Sequence, residues 1–457
     1  MPLLMIISLI IYVGIMYFAI RDFKRTVIIW IPLSLLFNSQ VCILYSPKPI
    51  ALTVAINLSL VALYFLNFVL YGGKNIYRYN REKFTLMSFM LLMVFSLLIS
   101  SLFSVIPFGA SFNKLVKSSI MDYGMLYIFF RCINTSDDIR LCVKIYVIVA
   151  LIITTNALVE NFTYTNPIGD FIYMSSPHTD ELKGRSYYVP HFIRHRSHHR
   201  YGLIRCVSSF GIHIAFGVAC TYIFFLLTTF VKKKWAVFKD KMKDRLILLS
   251  IVLLGIGVIL SNSKTPMLGF CMMLLAFYRL RDITNIKIML PLIVLLSIVI
   301  FYIPEYLNNF IALTDEKVAI EGGGSTIAMR KEQLFYVMKL FEDNPLFGNG
   351  IGAASYFSKN VFGFSHILGA ESVWFSLLTD QGILGCIAYI YMYFALCHFC
   401  RGIIPRRILI PFLLSVLLMD TVTGYQNFLL WTSVLILLRR QFQLEKIKNY
   451  FLIRSRF

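Results

Sequence analysis

GGGSTIAMRKEQLFYVMKLFEDNPLFGNGIGAASYFSKNVFGFSHILGAESVWFSLLTDQGILGC, residues 322–386, joins a polar helix to an apolar segment through a glycine-rich turn. Apolar residues recur at helical spacing in its first part, which carries Arg330, and Pro345 ends that helix. The turn that follows contains Gly348, Gly350 and Gly352, at positions that residues with a Cβ would resist. Glu371 then precedes an apolar run. The stretch predicts that an arginine and a carboxylate meet at a membrane surface.

The composition of the whole chain excludes a soluble protein. The chain has 457 residues, of which 58% are hydrophobic, and its mean hydropathy is +0.72. A soluble domain of this composition would expose much of its apolar surface. The apolar runs are unbroken rather than alternating, so they predict transmembrane helices. We therefore expect an all-α polytopic bundle of about 12–14 spans.

The predicted spans are separated by short polar segments. Thirteen of them are expected, at residues 3–20, 27–45, 50–72, 85–107, 115–131, 141–160, 207–230, 246–262, 265–279, 287–303, 372–397, 408–421 and 426–438. The second contains Pro32 and Asn38, so it is also compatible with two short pieces.

The net charge of +21 comes from lysines and arginines that cluster between apolar runs. This pattern is typical of topology signals and argues against a nucleic-acid partner. The positive-inside rule places 232–245, 401–407 and the C-terminal tail in the cytoplasm. Consequently two loops, 161–206 and the larger, partly helical 304–371, face outward.

The chain then divides into five regions. They are N-terminal transmembrane helices at 1–160, an outward basic loop at 161–206, central transmembrane helices at 207–303, a large outward catalytic loop at 304–371, and C-terminal transmembrane helices with a basic tail at 372–457.

The outward loop 161–206 is rich in arginine and histidine, although the charge rule disfavours basic residues there. Arg200 and Arg205 belong to this set. One interpretation is an anion-binding surface for phosphate or an acidic sugar chain. The other is a solvated loop that tolerates these residues. Neither cysteines nor carboxylates accompany the histidines in ligand register, so no metal site is expected.

Several charged residues fall at membrane depth, where they are costly and usually face a bundle interior or a cavity. Lys264 and Asp420 lie near outer ends of predicted spans, from which they can reach the same vestibule as Arg330. Lys117 and Asp122 are five residues apart and need partners on other helices. For Asp122 and Asp380 a structural role is at least as plausible as a functional one.

Four segments together resemble the Wzy-type O-antigen and capsule polymerases and the related O-antigen ligases. They are RCVSSFGIHIAFG with Arg205, SNSKTPML with Lys264, STIAMRKEQLFYVMKLFEDNPLFGNGIG with Arg330, and ESVWFSLLTDQGILG with Glu371. Their order, spacing and outward placement make the resemblance stronger than any one segment. The ligases carry His-Asn where this chain has Glu371 and Ser372, so the resemblance is to the polymerase branch. His366, five residues earlier, is a possible shifted substitute.

The resemblance implies transfer of a growing glycan from undecaprenyl pyrophosphate to the next lipid-linked repeat. Arg205, Arg330 and Lys264 would then stabilise the pyrophosphate leaving group, with Arg200, Tyr336 and His366 as further substrate-binding candidates. Glu371 would act either as the base that accepts the acceptor proton or as a group that orients Arg330.

The pyrophosphate linkage supplies the driving force in such a reaction, so no cofactor and no ATP are expected. The outward loops lack an obvious aspartate pair for a divalent ion, and metal independence is the simpler expectation. A chain-length regulator and a flippase are possible partners, in the inner membrane of a bacterium with the active site outward. A ligase, a transporter of lipid-linked or acidic sugars, and an assembly-complex component remain as alternatives.

Overall fold

The computed structural model describes most of the chain. The described residues are 2–45, 49–70, 83–177, 199–200, 203–233, 241–277, 308, 311, 315, 318, 327–360, 372–423 and 428–454. The predicted span 287–303 lies outside them.

Helices make up most of the described structure, which confirms the predicted all-α polytopic bundle. Apolar runs form helices because a helix satisfies its own backbone polar groups without water. The helices are α1 (Leu3–Arg21), α2 (Phe23–Leu33), α3 (Leu52–Leu70), α4 (Lys83–Leu102), α5 (Phe108–Lys117), α6 (Met125–Cys132), α7 (Ser136–Thr163), α8 (Pro167–Ser175), α9 (His213–Lys232), α10 (Lys241–Leu260), α11 (Lys264–Leu274), α12 (Ile327–Asp343), α13 (Ala353–Asn360), α14 (Val373–Cys400), α15 (Arg406–Thr423) and α16 (Phe428–Arg454).

Six helices of the described part are long and apolar enough to cross a membrane. They lie at Leu3–Arg21, Leu52–Leu70, Thr85–Leu102, Ser136–Thr163, His213–Lys232 and Val373–Cys400. The fraction of buried residues distinguishes helices at the centre of the bundle from helices at its edge. In the most apolar part of α9, 83% of residues are buried, against 17% in α1. Helix α9 therefore runs through the core, and α1 lies at the periphery.

The predicted span at 27–45 is wrong as a continuous helix. Helix α2 ends at Leu33, a 3₁₀ turn covers Ser34–Leu36, and the chain then forms a strand, Cys42–Leu44 (β1), paired antiparallel with Ile50–Ala51 (β2). A local hydrogen bond stabilises the polar turn before β1. The backbone amide of Gln40 donates to Asn38 Oδ1 at 2.9 Å. Side-chain hydrogen bonds of this kind compete with helix continuation.

Other predicted spans differ in length. The span at 115–131 is interrupted between α5 and α6 by a π-helical segment, Ser118–Gly124. The span at 265–279 is the shorter α11, and the last span belongs to α16, which continues through the basic tail to Arg454.

Aromatic and small residues pack the centre of the bundle. Phe225 of α9 contacts Phe412 of α15, with ring centroids 5.0 Å apart. Ser415 of α15 donates a hydrogen bond to the Gly269 carbonyl of α11 at 2.9 Å. Helices α9, α11 and α15 thus form one packed unit, whose ends carry several of the predicted site residues.

Candidate functional site

The apolar helix α14 is kinked at Gly382, and the kink creates a docking place for the glycine-rich turn. Gly382 has φ 62° and ψ −154°, a conformation that is open essentially only to glycine. The kink frees the amides of Ile383 and Leu384 from the helix. These donate to the carbonyls of Pro345 and Leu346 at 2.9 and 3.2 Å. The turn is therefore joined to α14 through backbone groups.

Asn349 holds the same turn from inside. Its side-chain amide donates to the Leu340 carbonyl at 2.7 Å, and its backbone amide donates to the Thr379 carbonyl at 2.9 Å. Its own carbonyl accepts from Val105 N at 3.1 Å. Asn349 is 2% exposed, so these bonds are shielded from water and fix α12, α14 and the end of α4 relative to each other.

Asp380 completes this connection. Its carboxylate accepts hydrogen bonds from Gly352 N at 2.6 Å and from Ala354 N at 3.1 Å, which caps the first turn of α13. Its backbone carbonyl accepts from Gly350 N at 3.1 Å. Between the functional and the structural interpretations of Asp380, these bonds favour the structural one.

The glycines of the turn adopt positive φ, as the sequence predicts. Gly348, Gly350 and Gly352 have φ of 71°, 103° and 86°. A Cβ on Gly352 would also collide with the ammonium of Lys114 on α5. The turn thus touches α5 as well as α14, and it does so through a lysine.

Replacement of Gly352 with alanine is expected to lower the stability of the protein. The positive φ costs a residue with a Cβ about 1–3 kcal/mol, and the Lys114 side chain would have to move. We expect a lower apparent Tm in detergent, measured by thermal unfolding of the purified protein. Gly109→Ala is the matched control, because nothing lies within 4 Å of a Cβ at that helical position. An unchanged Tm for Gly352→Ala would contradict the strain argument.

Arg330 lies on α12, and its guanidinium reaches the end of α15. Its Nη2 donates to the Val422 carbonyl at 3.1 Å. At the adjacent residue, Thr421 Oγ1 lies 3.1 Å from Trp374 Nε1, which belongs to the first turn of α14. Arg330 and the start of α14 therefore meet at one helix end. Glu371, just before this start, lies outside the described residues, so its meeting with Arg330 stays a prediction.

Asp420, two residues before Val422, is turned into the bundle. It is 1% exposed, and its Oδ2 accepts from the hydroxyls of Tyr389 and Tyr393 at 3.0 and 3.5 Å. Asp420 was expected to reach the same vestibule as Arg330. It is close in sequence to Val422, which Arg330 contacts, but its side chain is buried in the bundle. Its carboxylate serves the packing of α14 against α15.

The segments of Arg205 and Lys264 are joined by a backbone hydrogen bond. Cys206 N donates to the Leu260 carbonyl at 3.0 Å, at the turn from which Lys264 begins α11. Arg205 is 7% exposed. Burial raises the pKa of the neighbouring Cys206 thiol, so this cysteine stays protonated beside the arginine.

Glu160 fixes the Arg205 segment, and the sequence did not point to it. This carboxylate, at the end of α7, is fully buried. It accepts from Val207 N at 3.1 Å, from Ser208 N at 2.9 Å and from Asn166 Nδ2 at 3.0 Å. A carboxylate at the outer end of an apolar run was the only sequence signal. Its partners are backbone amides, which no sequence pattern reveals.

The remaining predicted residues have different surroundings. Tyr336 packs beside Leu340 and Ala354, between α12 and α13. Arg200 lies in a two-residue strand, His199–Arg200 (β3), paired antiparallel with Leu203–Ile204 (β4), directly before Arg205. His366 lies outside the described residues.

Gln333 is a further residue that the sequence did not single out. It follows Arg330 by three residues on α12 and is 1% exposed. Neither its Oε1 nor its Nε2 has a hydrogen-bond partner among the described residues. A buried side-chain amide without a hydrogen-bond partner costs free energy, so we expect a polar group to bind it beside Arg330.

The described contacts place the segment that follows Arg205 beside the start of α16. Ser209, four residues after Arg205, donates to the Leu35 carbonyl at 3.2 Å and shares a cavity with Leu430 near the start of α16. That start follows the end of α15, where Arg330 binds. A guanidinium at that helix end can stabilise an anionic leaving group. Within the described part of the chain, no three histidine, cysteine or acidic side chains are grouped as metal ligands.

The comparisons with known proteins bear on this end of the bundle. Residues 249–390 match the family model described as O-antigen ligase. The matched region contains Lys264, Arg330, the glycine-rich turn and the kink at Gly382. No curated protein matches the chain.

Proposed function

We propose that this chain, whose residues 249–390 match the family model described as O-antigen ligase, is a polymerase of lipid-linked oligosaccharide repeats. In the proposed reaction the growing glycan leaves undecaprenyl pyrophosphate and is joined to the non-reducing end of the next lipid-linked repeat. The observation that carries the proposal is the position of Arg330. It lies inside the matched region and at the helix end where α14 starts.

The leaving group explains why arginines are suited to this position. When the glycosidic bond breaks, negative charge develops on a pyrophosphate that remains anchored in lipid. A guanidinium pairs phosphate oxygens through two parallel hydrogen bonds and stays charged at all relevant pH values. Arg330, Arg205 and Lys264 are the proposed cations. The connection of Cys206 to Leu260 supports the grouping of the last two.

The acceptor hydroxyl loses its proton as the new bond forms. Glu371 is the proposed base, with orientation of Arg330 as its alternative role. Trp374, three residues later, lies beside Thr421, the neighbour of the residue that binds Arg330. This placement supports either role, since both require Glu371 close to the guanidinium.

The proposed location is the bacterial inner membrane, with the site on the outer side. Six long apolar helices support a multi-pass membrane protein. The basic clusters beside α15 and in α16 lie at the ends opposite Arg330, in agreement with the positive-inside rule.

A reconstituted reaction tests the proposal. Purified protein in liposomes that contain only the lipid-linked repeat should produce a ladder of chain lengths, since a polymerase uses the same molecule as donor and acceptor. Products are read by gel electrophoresis, and protein-free liposomes are the control. If no chain longer than one repeat forms although intact repeats are present, the polymerase proposal fails.

The description of the matched family favours one alternative, transfer of a finished glycan to another acceptor as in a ligase. The same liposomes distinguish it. A ligase would give no ladder without a second acceptor, and it would give a single transfer product when that acceptor is added. The Glu371 and Ser372 pair, in place of His-Asn, is the sequence feature that favours the polymerase.

A further inference from the structure

An open cavity of about 1080 Å³ lies between the N-terminal helices and the segment that follows Arg205. Leu35, Val54, Leu58 and Leu430 contribute apolar wall, and Ser209 and Met121 lie on it as well. None of these residues was among the predicted site residues. The volume of the cavity suits the head group of an amphiphile together with the first part of an apolar chain.

Two lysines give this apolar cavity a cationic side. Lys114 and Lys117 line it, and both are exposed. They are three residues apart on α5, so they project from one face of the helix about 5–6 Å apart at Cβ. Asp380 interacts electrostatically with Lys114, and Asp122 with Lys117. Among the described lining residues themselves, no acidic side chain occurs.

Asn38, which also lines this cavity, does not add a hydrogen-bond donor to it. Asn38 is 8% exposed and its Oδ1 accepts from Gln40 N, which fixes Nδ2 as the remaining donor. Within the described part of the chain, Nδ2 has no hydrogen-bond partner. Because Nδ2 is itself shielded from solvent, a ligand in the open cavity does not reach it. The ligand is therefore indicated by the two cations, which favour an anion.

We propose that this cavity binds the pyrophosphate lipid of the acceptor repeat. The inference rests on the proposed function, in which two pyrophosphate lipids must be held at once. Arg330, Arg205 and Lys264 bind only the donor lipid. Two ammonium groups on one helix face match a head group with two phosphoryl groups better than a phospholipid with one. Lys114 also touches the glycine-rich turn through Gly352, so the cavity adjoins the proposed catalytic region.

Native mass spectrometry of the purified protein with added undecaprenyl pyrophosphate tests the site. Wild type should bind two lipids. Lys114→Ala with Lys117→Ala should retain one and bind the second at least roughly ten-fold more weakly, because two charge-assisted contacts are lost. Lys114→Arg with Lys117→Arg should retain both. The matched control, Lys446→Ala with Lys448→Ala, removes the same charge from exposed positions at the far end of α16 and should also retain both.

Three results would overturn the site. They are two lipids still bound by the double alanine variant, a single lipid bound by wild type, and displacement of the second lipid by phosphatidylglycerol as readily as by undecaprenyl pyrophosphate. Failure of the proposed function is read separately in the liposome reaction. A ladder with unchanged lipid binding in the double variant overturns the cavity alone. If wild type forms no ladder, while the double variant loses the second lipid as expected, the polymerase proposal alone is overturned.

Discussion

Replacement of Arg330 with alanine is expected to abolish chain extension, leaving single repeats where the wild-type protein gives long chains. The guanidinium stands at the end of α15, 3.1 Å from the Val422 carbonyl, and is the proposed partner of the pyrophosphate leaving group. Loss of an arginine that stabilises a phosphate leaving group costs roughly 10³-fold or more in rate. The measurement is the glycan ladder of a null strain complemented with each variant, after equal membrane expression has been confirmed.

The neighbouring residue provides the control. Lys331 is an exposed cation on the same helix, and Lys331→Ala should leave the ladder unchanged. Arg330→Lys should give shorter chains than wild type, because an ammonium keeps the charge but loses the bidentate geometry. An unchanged ladder for Arg330→Ala would mean that this arginine only supports the end of α15. Glu371→Gln, beside these variants, separates a base from an orienting group: a base is expected to cost roughly 10²–10⁴-fold.

Gly382→Ala is expected to prevent correct assembly of the membrane bundle. A Cβ at this position would lie 2.5 Å from the Pro345 carbonyl oxygen and 2.7 Å from Gly348 N. Both contacts are with backbone, so no side-chain rotation relieves them. The backbone conformation adds a strain of about 1–3 kcal/mol for any residue with a Cβ. We expect little folded protein in the membrane, measured by fluorescence-detected size-exclusion chromatography.

A second helical glycine shows whether the effect is specific. Gly255 on α10 has only Phe270 Cζ, at 3.9 Å, near a built Cβ. Gly255→Ala should therefore accumulate like wild type. If Gly382→Ala also gave a wild-type elution profile and an unchanged Tm, the kink in α14 and its connection to the glycine-rich turn would be incorrect.

The local features of the candidate site could be predicted from the sequence because they depend on local chemistry. Pro345 and the glycines after it predicted the end of α12 and the turn, and the positive φ values confirm the turn. The apolar spacing around Arg330 predicted the helix that carries it, which the structure confirms as Ile327–Asp343. These features depend on the conformational preferences of single residues, which the sequence states directly.

Features that depend on distant partners could not be predicted in this way. Glu160 binds backbone amides more than forty residues away, and Lys114 meets Gly352 across the bundle. An apolar run also does not reveal where it stops being a helix. At 27–45 the chain turns into a short strand pair, because local side-chain hydrogen bonds and pairing with Ile50–Ala51 replace the helical ones.

The connection between the glycine-rich turn and α14 has a consequence for divergence within such proteins. Its backbone hydrogen bonds join amides to carbonyls, and the glycines leave space for them because they lack a side chain. The side chains of Asn349 and Asp380 add further bonds to the backbone. Neighbouring positions other than Asn349 and Asp380 can therefore change identity without loss of this connection. The spacing of Gly348, Gly350, Gly352 and Gly382 is the feature that we expect to persist as the sequence diverges. A search for distant relatives should accordingly give weight to the spacing of these glycines together with Asn349 and Asp380.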